Sequence, residues 1–238
     1  MKTLFVYQSP PGSCSYLPGR DSSMRYEMVA SATIDEYEAR MNLGWRRFGK
    51  TLFRPDCPTC QDCIPLRVNV AKFQPTTSLR RVMRLAESKV TLEIVEPSAT
   101  AEKLKLYHVF HDFQAGFKDW PERYETLASY TESFVDHPFP TEEWNYRMDG
   151  RLVGVGYVDA LSASLSMMYF FYHPDVRSLS PGTFNVLKGI EEAKRRGKTF
   201  VHLGYFVDGC RSLEYKGRFR PHERFDWNTR TWLPDALE

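Results

Sequence analysis

Long apolar segments are absent from this 238-residue sequence, and their absence excludes one class of protein. No apolar run approaches the ~20 residues that cross a bilayer as a helix, so we expect no membrane-spanning segment. Residues 1–10 contain too short an apolar stretch for the core of a secretory signal peptide. We therefore expect a cytoplasmic protein.

Net charge is also small, +2 from 32 basic and 30 acidic residues, but the charges are unevenly placed. Between Glu38 and Asp56, and again between Asp62 and Glu87, every charged residue is basic. Such a distribution predicts a polyanionic partner such as nucleic acid, although a solvated basic surface has the same pattern. The basic residues of the two segments are Arg40, Arg46, Arg47, Lys50 and Arg54, then Arg67, Lys72, Arg80, Arg81 and Arg84.

Cysteines are few, five in all, and disulfides are not expected because cytoplasmic proteins keep their thiols reduced. Cys57, Cys60 and Cys63 are spaced so that three thiolates can converge on one metal centre. Cys14, in an upstream loop rich in Pro and Gly, is the natural fourth ligand, whereas Cys210 lies far along the chain. An iron–sulfur cluster and a structural zinc both fit this set, and so do reduced cysteines packed as small apolar side chains.

The first part of the chain contains two segments of alternating polarity, Leu66–Val70 and Val90–Ile94, which predict half-buried strands. Pro97-Ser98 follows them and marks the boundary that we expect between two regions. Residues 1–97 would form a smaller N-terminal region with the cysteines and the basic segments. Residues 98–238 would form the C-terminal domain.

In the C-terminal half, Asp149-Gly150 separates two apolar segments and is a strong signal of a β-hairpin. A strand at Leu165–Tyr172, a loop, a helix that begins near Pro181 and a strand at Thr199–Leu203 follow. This order resembles the core of the GNAT acyltransferases, which implies an α+β fold with a mixed, mainly antiparallel sheet and flanking helices. In that fold the loop before the helix binds the acyl donor, and two strands that part from each other admit the amine.

A set of short motifs runs in order through nearly the whole chain. They are Cys14-Ser15-Tyr16-Leu17-Pro18-Gly19-Arg20, Gly44-Trp45-Arg46-Arg47-Phe48-Gly49, Phe53-Arg54-Pro55, Cys63-Ile64-Pro65-Leu66-Arg67-Val68, Tyr169-Phe170-Phe171-Tyr172-His173-Pro174-Asp175, Arg177-Ser178-Leu179, Gly182-Thr183-Phe184, His202-Leu203-Gly204-Tyr205, Gly209-Cys210, Tyr215-Lys216 and Phe219-Arg220-Pro221. Together they resemble the bacterial aspartate/glutamate leucyltransferase family, relatives of the eukaryotic arginyl-tRNA–protein transferases. His173, where that family usually has Asp, and a longer loop at Ser180-Pro181 depart from the family pattern.

The resemblance implies an aminoacyltransferase that moves leucine from Leu-tRNA to the α-amine of proteins beginning with Asp or Glu, and so creates a signal for proteolysis. The alternatives are a transferase that donates arginine, an acyl-CoA-dependent N-acyltransferase, and a non-catalytic RNA-binding module with a zinc knuckle. The sequence after Arg177 does not match the coenzyme A-binding pattern of GNAT enzymes, so no coenzyme A is expected.

The implied reaction needs little acid–base catalysis, because the aminoacyl ester is already activated and the enzyme mainly positions two substrates. The attacking α-amine has a reference pKa of about 7.7–8.0, so a weak base or a water relay suffices to deprotonate it. Two catalytic candidates are Asp159, at the end of the hairpin strand, and Tyr205, where the two strands are expected to part.

The binding candidates follow from the charge of each substrate. A planar guanidinium holds a carboxylate with two hydrogen bonds, and a helix N-terminus with its preceding loop binds phosphate. Basic side chains elsewhere bind tRNA phosphates, and aromatic ones stack on unpaired bases. The candidates are Arg20, Arg54 and Lys216 for the acidic N-terminal residue, Arg177, Ser178 and Thr183 for the tRNA 3′ end, Tyr169 and Tyr172 for substrate, and Arg46, Arg47, Arg67, Arg80 and Arg81 for the rest of the tRNA.

Overall fold

Two large β-sheets form the scaffold of the computed structural model, which describes residues 1–118 and 124–235. The strands are β1 (Lys2–Gln8), β2 (Gly12–Ser13), β3 (Asp21–Ser22), β4 (Met24–Ser31), β5 (Arg46–Phe48), β6 (Thr51–Pro55), β7 (Ile64–Asn69), β8 (Thr91–Val95), β9 (Thr141–Met148), β10 (Arg151–Ala160), β11 (Ser164–Tyr172), β12 (Phe200–Phe206), β13 (His222–Asp226) and β14 (Thr231–Pro234). The helices are α1 (Ile34–Asn42), α2 (Thr77–Glu87), α3 (Ala101–Lys118), α4 (Leu127–Phe134), α5 (Pro181–Arg195) and α6 (Arg211–Glu214). Within these described residues, no helix has the length and apolar character needed to span a membrane.

The larger sheet has the strand order β14-β13-β7-β12-β11-β10-β9-β8. All neighbouring strands are antiparallel except β11 and β12, which are parallel. The predicted order of hairpin, third strand, loop, helix and further strand is present. The α+β fold with a GNAT-like core is therefore confirmed.

The parallel strands β11 and β12 pair only from Ser164–Phe200 to Ser166–His202 and then separate. On its other edge, β12 shifts register against β7 between His202 and Gly204. Gly204 has a φ of +82°, a left-handed conformation that glycine adopts without steric cost. An irregularity of this kind bends a strand, so β12 leaves β11 at this point and opens the sheet.

Local sequence signals explain the flanking elements. Thr33 and Glu36 form a reciprocal capping box at the start of α1. Asp149 and Gly150 both have positive φ, as the tight turn between β9 and β10 requires. Pro181 occupies the first turn of α5, where its missing N–H costs nothing.

Helices cover both faces of the larger sheet. Apolar side chains of α2 and α5, including Leu79 and Leu187, pack on one face, and Tyr107 of α3 and Phe134 of α4 pack on the other. The smaller sheet, with strand order β1-β4-β6-β5, packs with α1 around its own apolar cluster. Strands β7 and β8 precede residue 97 but belong to the larger sheet, so this sheet draws on both predicted regions. The division at residue 97 stays a prediction.

A buried ion pair joins the two sheets. Arg47 of β5 donates from Nε to Oδ2 of Asp159 in β10 at 2.8 Å, and a second hydrogen bond links Nη2 to Oδ1. The Tyr37 hydroxyl donates to Oδ2 at 2.6 Å and the Thr141 hydroxyl to Oδ1 at 2.7 Å. Burial acts to raise the pKa of Asp159, but Arg47 and these hydrogen bonds outweigh it and hold the pKa below its ordinary value.

Neither member of this pair fits its predicted role. Both side chains are 0% exposed and bonded to each other. Asp159 therefore has no access to a substrate amine as a proton acceptor, and Arg47 cannot contact tRNA phosphate. Their arrangement is that of a structural contact between the sheets.

Replacing Asp159→Asn is expected to lower the free energy of unfolding by about 3–5 kcal/mol, because Arg47 remains buried without a counter-charge. Urea unfolding at pH 7 measures this loss. Since the folded pKa of Asp159 lies below its unfolded value, the carboxylate contributes stability above the unfolded pKa of about 3.9 and loses it as pH falls through the folded pKa. The difference between wild type and variant should therefore shrink in acid. A well-folded variant within about 1 kcal/mol of wild type would contradict the structural assignment.

Candidate functional site

A cleft of about 600 Å³ opens where β11 and β12 part. Its walls are residues 167–170 of β11, residues 203–205 of β12, residues 180–183 at the start of α5, and residues 211–213. Tyr16, Arg46 and Phe53 contribute from the N-terminal part of the chain, and Phe110 and Gln114 contribute from α3. The position at the parted strands is the one at which the GNAT fold admits its amine.

The charged side chains that line this cleft are all basic. They are Arg46, Arg177, Arg211 and Lys216, and no carboxylate occurs among the described lining residues. Aromatic side chains, among them Tyr169 and Tyr172, make up much of the remaining wall. A cationic, aromatic cleft suits an anionic ligand that also carries flat rings.

Arg46 lies at the point where the strands separate. Its Nη1 donates to the Ser166 hydroxyl at 2.9 Å and its Nη2 to the Met167 carbonyl oxygen at 2.6 Å. The guanidinium also lies against Gly204, where a Cβ atom would come within 3.2 Å of Nε. Burial lowers the pKa of Arg46, although an arginine stays charged at any physiological pH. The structure thus holds a buried positive charge beside the cleft.

Lys216 is a second cation of the cleft. Its Nζ donates to the Tyr205 carbonyl oxygen at 2.9 Å. Burial, reinforced by the nearby Arg46 guanidinium, lowers the pKa of Lys216 from its ordinary 10.5 to about 7. Near neutral pH this side chain exists in both charged and neutral forms, so it can accept a proton as well as donate one.

Tyr205 lines the cleft, but its hydroxyl is engaged elsewhere. The hydroxyl donates towards the carbonyl oxygens of Gly44 at 3.2 Å and Phe53 at 3.3 Å. Burial raises the pKa of Tyr205 well above that of an ordinary phenol. A phenol that is so weakly acidic and already bonded to backbone fits a positioning role for β12 better than proton transfer.

The start of α5 faces the same cleft. Ser180 is in the left-handed conformation with φ of +53°, and no side chain caps the helix. Gly182 and Thr183 line the cleft within the first turn, where backbone N–H groups have no partner inside the helix. Arg177 lies beside them with its Cζ 4.8 Å from the ring centre of Phe113. Of the three predicted phosphate ligands, Arg177 and Thr183 line the cleft, while Ser178 is exposed outside the set of lining residues.

Two predicted ligands, Arg20 and Arg54, are not among the cleft-lining residues. Arg20 is half exposed and forms an ion pair with Asp62 at 3.3 Å. Arg54 stacks on the ring of Trp45, with its Cζ 5.2 Å from the ring centre. These positions do not place either guanidinium among the cleft-lining residues.

Three of the predicted tRNA ligands differ in how available they are to a polyanion. Arg67 donates to Glu223 at 2.7 Å and stacks on the Phe200 and Trp232 rings, so its charge is already compensated. Arg80 and Arg81 are exposed on α2, where a polyanion could reach them. Gln114 and Arg211 also line the cleft, but no sequence signal points to either residue.

The cysteine cluster lies close to this site through Tyr16. The Cys14 sulfur accepts hydrogen bonds from the backbone N–H groups of Tyr16 and Leu17, both at 3.4 Å. Burial, and then the neighbouring thiols of Cys57, Cys14 and Cys60, raise the pKa of Cys63 to about 12. The four thiols are therefore near enough to affect one another.

The chemistry of this donor set fits a soft metal or a cluster. The geometry is not that of a closed ligand shell. Across residues 1–118 and 124–235, no three His, Cys, Asp or Glu side chains are grouped closely enough to hold a metal ion.

Comparison with known proteins finds two matching family models, similar sequences and a structural neighbour. Family models described as the C terminus and the N terminus of arginine-tRNA-protein transferase match residues 102–226 and 12–81. Proteins named aspartate/glutamate leucyltransferase from Marinobacter nauticus and Helicobacter hepaticus are 35% and 34% identical, over 94% and 92% of this chain and 93% and 91% of their own. The solved structure of FemX aligns with a TM-score of 0.49 and 9% identity, over 88% of this chain and 82% of its own.

Replacing Lys216→Met should change how stability depends on pH. Because the folded pKa is lowered to about 7, the unfolded chain binds more protons between about pH 7 and 10.5, and wild-type stability rises with pH across that window. Below pH 7 the lysine is charged in both states, and the cost of burying the charge is fully present. The variant lacks this cost, so its stability relative to wild type should be greatest at pH 6 and decline towards pH 10. Urea unfolding of both proteins across this range tests the expectation, and parallel pH curves would refute it.

Proposed function

This chain belongs to the aminoacyl-tRNA–protein transferase family, and we propose that it transfers leucine from Leu-tRNA to the α-amine of proteins that begin with Asp or Glu. Relatives that match over nearly their whole length are named for this activity. The structural observation that supports the proposal is the cleft at the parted strands, whose charged lining residues are all basic.

Such a cleft suits both substrates of the reaction. The start of α5 and Arg177 offer N–H donors and positive charge to phosphate of the tRNA 3′ end. Tyr169 and Tyr172 offer rings on which unpaired bases of the acceptor end can stack. The acidic residue of the acceptor protein is a second anion, which a cleft lined with carboxylates would repel.

Catalysis then follows mainly from positioning. The neutral α-amine attacks the ester carbonyl carbon of the aminoacyl-tRNA, a C–N bond forms, and the ester C–O bond breaks to release the tRNA as its terminal hydroxyl. One amine proton is transferred to that oxygen by way of solvent or a neighbouring group. Holding two reactants in a reactive geometry can lower a barrier by about 7–11 kcal/mol.

Lys216 is the group best placed to assist the proton transfers. An acceptor ammonium must lose one proton before it attacks, and its reference pKa of about 7.7–8.0 is close to the lowered pKa of Lys216. A base matched in this way accepts the proton at little cost near neutral pH. We assign Lys216 this role in place of Asp159.

The proposal also covers the fate of the modified protein, the cellular compartment and the further contacts with tRNA. Leucine at a protein N-terminus would mark the modified protein for proteolysis, and the reaction would occur in the cytoplasm, where charged tRNA is present. Arg80 and Arg81, exposed on α2, are proposed to contact tRNA outside the acceptor end.

The function is tested by incubating the purified protein with labelled Leu-tRNA, Arg-tRNA or Phe-tRNA and with peptides that begin with Asp, Glu, Asn, Lys or Arg. We expect transfer from Leu-tRNA to the Asp and Glu peptides. Transfer of arginine instead would keep the reaction class and correct the donor. Acylation that requires acyl-CoA, or tight tRNA binding without any transfer, would refute the proposal in favour of an N-acyltransferase or an RNA-binding module.

We also propose that Cys14, Cys57, Cys60 and Cys63 hold an iron–sulfur cluster or a structural zinc, because two segments bring their thiols near enough to affect the pKa of Cys63 and a modest rearrangement would close the ligand shell. When bound, such a group would crosslink the loop that carries Tyr16 to the segment before β7 and so fix one wall of the cleft.

Metal analysis after anaerobic purification should find about one zinc ion or one cluster per chain, the latter with visible absorption. Cys63→Ser should lose the metal, whereas Cys210→Ser, a matched exchange outside the proposed ligand set, should retain it. A colourless, zinc-free protein with full transferase activity would contradict the metal proposal.

A further inference from the structure

Two adjacent arginines in β5 point to opposite sides and have different partners. Arg47 forms the buried ion pair with Asp159, whereas Arg46 borders the cleft. Alternation along a strand accounts for this difference, since successive side chains leave a strand on opposite faces. Of these two arginines, only Arg46 is thus available to a ligand in the cleft.

The described residues place no carboxylate within ion-pairing distance of Arg46; Asp159 acts on it only from farther away and is itself paired with Arg47. Arg46 is 8% exposed, and its hydrogen bonds lead to the neutral oxygens of Ser166 and Met167. Within the described part of the chain it makes no ion pair, and a guanidinium has five N–H donors, of which these bonds use two. A buried cation without a directly paired counter-charge is costly, so an anion that enters the cleft and pairs with Arg46 gains part of this free energy on binding.

The burial of Arg46 also restricts what that anion can be. A polynucleotide backbone needs an exposed surface to run along, as Arg80 and Arg81 provide on α2. A guanidinium that is almost enclosed can be reached only by a short side chain or a small group. Its place at the separation of β11 from β12 is also where the amine of the acceptor is expected to enter.

We propose that Arg46 binds the side-chain carboxylate of the acceptor's N-terminal Asp or Glu and selects acidic acceptors; this inference rests on the function proposed above. Arg46 is therefore reassigned from the tRNA to the acceptor, and it takes the role predicted for Arg20, Arg54 and Lys216. A planar guanidinium pairs with a carboxylate through two charge-assisted hydrogen bonds. The isosteric amide of Asn or Gln cannot supply the negative charge, so it leaves Arg46 uncompensated and is rejected.

The test compares peptides that differ only in a first residue of Asp, Glu, Asn or Gln. For wild type, Arg46→Lys and Arg46→Gln, kcat/KM is measured at saturating Leu-tRNA, and peptide affinity is measured separately by calorimetry without tRNA. In Arg46→Gln the preference for Asp over Asn should fall about 10- to 100-fold in both measurements, as expected for loss of a charged hydrogen bond. Arg46→Lys keeps the charge but not the paired geometry, so it should retain part of the preference.

The ratio of kcat/KM for the Asp peptide to kcat/KM for the Asn peptide separates a loss of selection from general damage to the protein. A misshapen cleft lowers transfer to both peptides alike and leaves this ratio unchanged. Arg177→Gln is the matched control, since it removes a cleft guanidinium on the donor side and should reduce transfer to Asp and Asn peptides by the same factor. If Arg46→Gln does not fold, Ser166→Ala replaces it. Loss of the Ser166 hydroxyl frees one side of the guanidinium and should lower the Asp preference about 3- to 10-fold.

The outcomes distinguish this inference from the proposed function. An unchanged Asp-to-Asn ratio in Arg46→Gln, or weaker binding of Leu-tRNA with the ratio intact, overturns the inference while the transferase activity stands. Peptide binding without acid preference in wild type also overturns it. Acid-selective peptide binding that depends on Arg46, without transfer from any tRNA, supports the inference and refutes the proposed function.

Discussion

The ion pair between Arg47 and Asp159 is the contact on which the arrangement of the two sheets depends. Each charge alone would be costly in a protein interior, so losing either group would weaken the packing of the two sheets. With Arg47 held in this way, the other face of β5 is fixed against β11, and Arg46 is held at the edge of the cleft. A contact outside the cleft-lining residues thereby positions the charge that we propose to bind the acceptor.

The cleft combines two properties that the proposed reaction needs. Two of its cations, Arg46 and Lys216, lie partly out of solvent, where charge interactions are stronger than in water. The described lining residues place no carboxylate in competition with a bound anion. Its aromatic walls offer flat surfaces to bases. Because the aminoacyl ester is already reactive, a cleft that only attracts, orients and excludes water can accelerate the reaction without a strong nucleophile of its own.

Elements with local signals could be predicted from the sequence, whereas the roles of charged residues could not. The hairpin at Asp149-Gly150, the capping box of α1 and the helix that begins at Pro181 each depend on a few adjacent residues. Arg46 and Arg47 share one predicted role but have different surroundings, which depend on which face of β5 meets which sheet, and no local pattern encodes that. For the same reason Asp159 looked accessible at the end of a strand, although residues more than 100 positions away enclose it.

Gly204 links the backbone of the sheet to the electrostatics of the cleft. Its left-handed conformation bends β12 away from β11, and its missing side chain leaves room for the guanidinium of Arg46. A single methyl group at this position would disturb both the opening and the cation beside it. A substitution of Arg46 could therefore change which acceptor the cleft binds, whereas Gly204 tolerates almost no other residue.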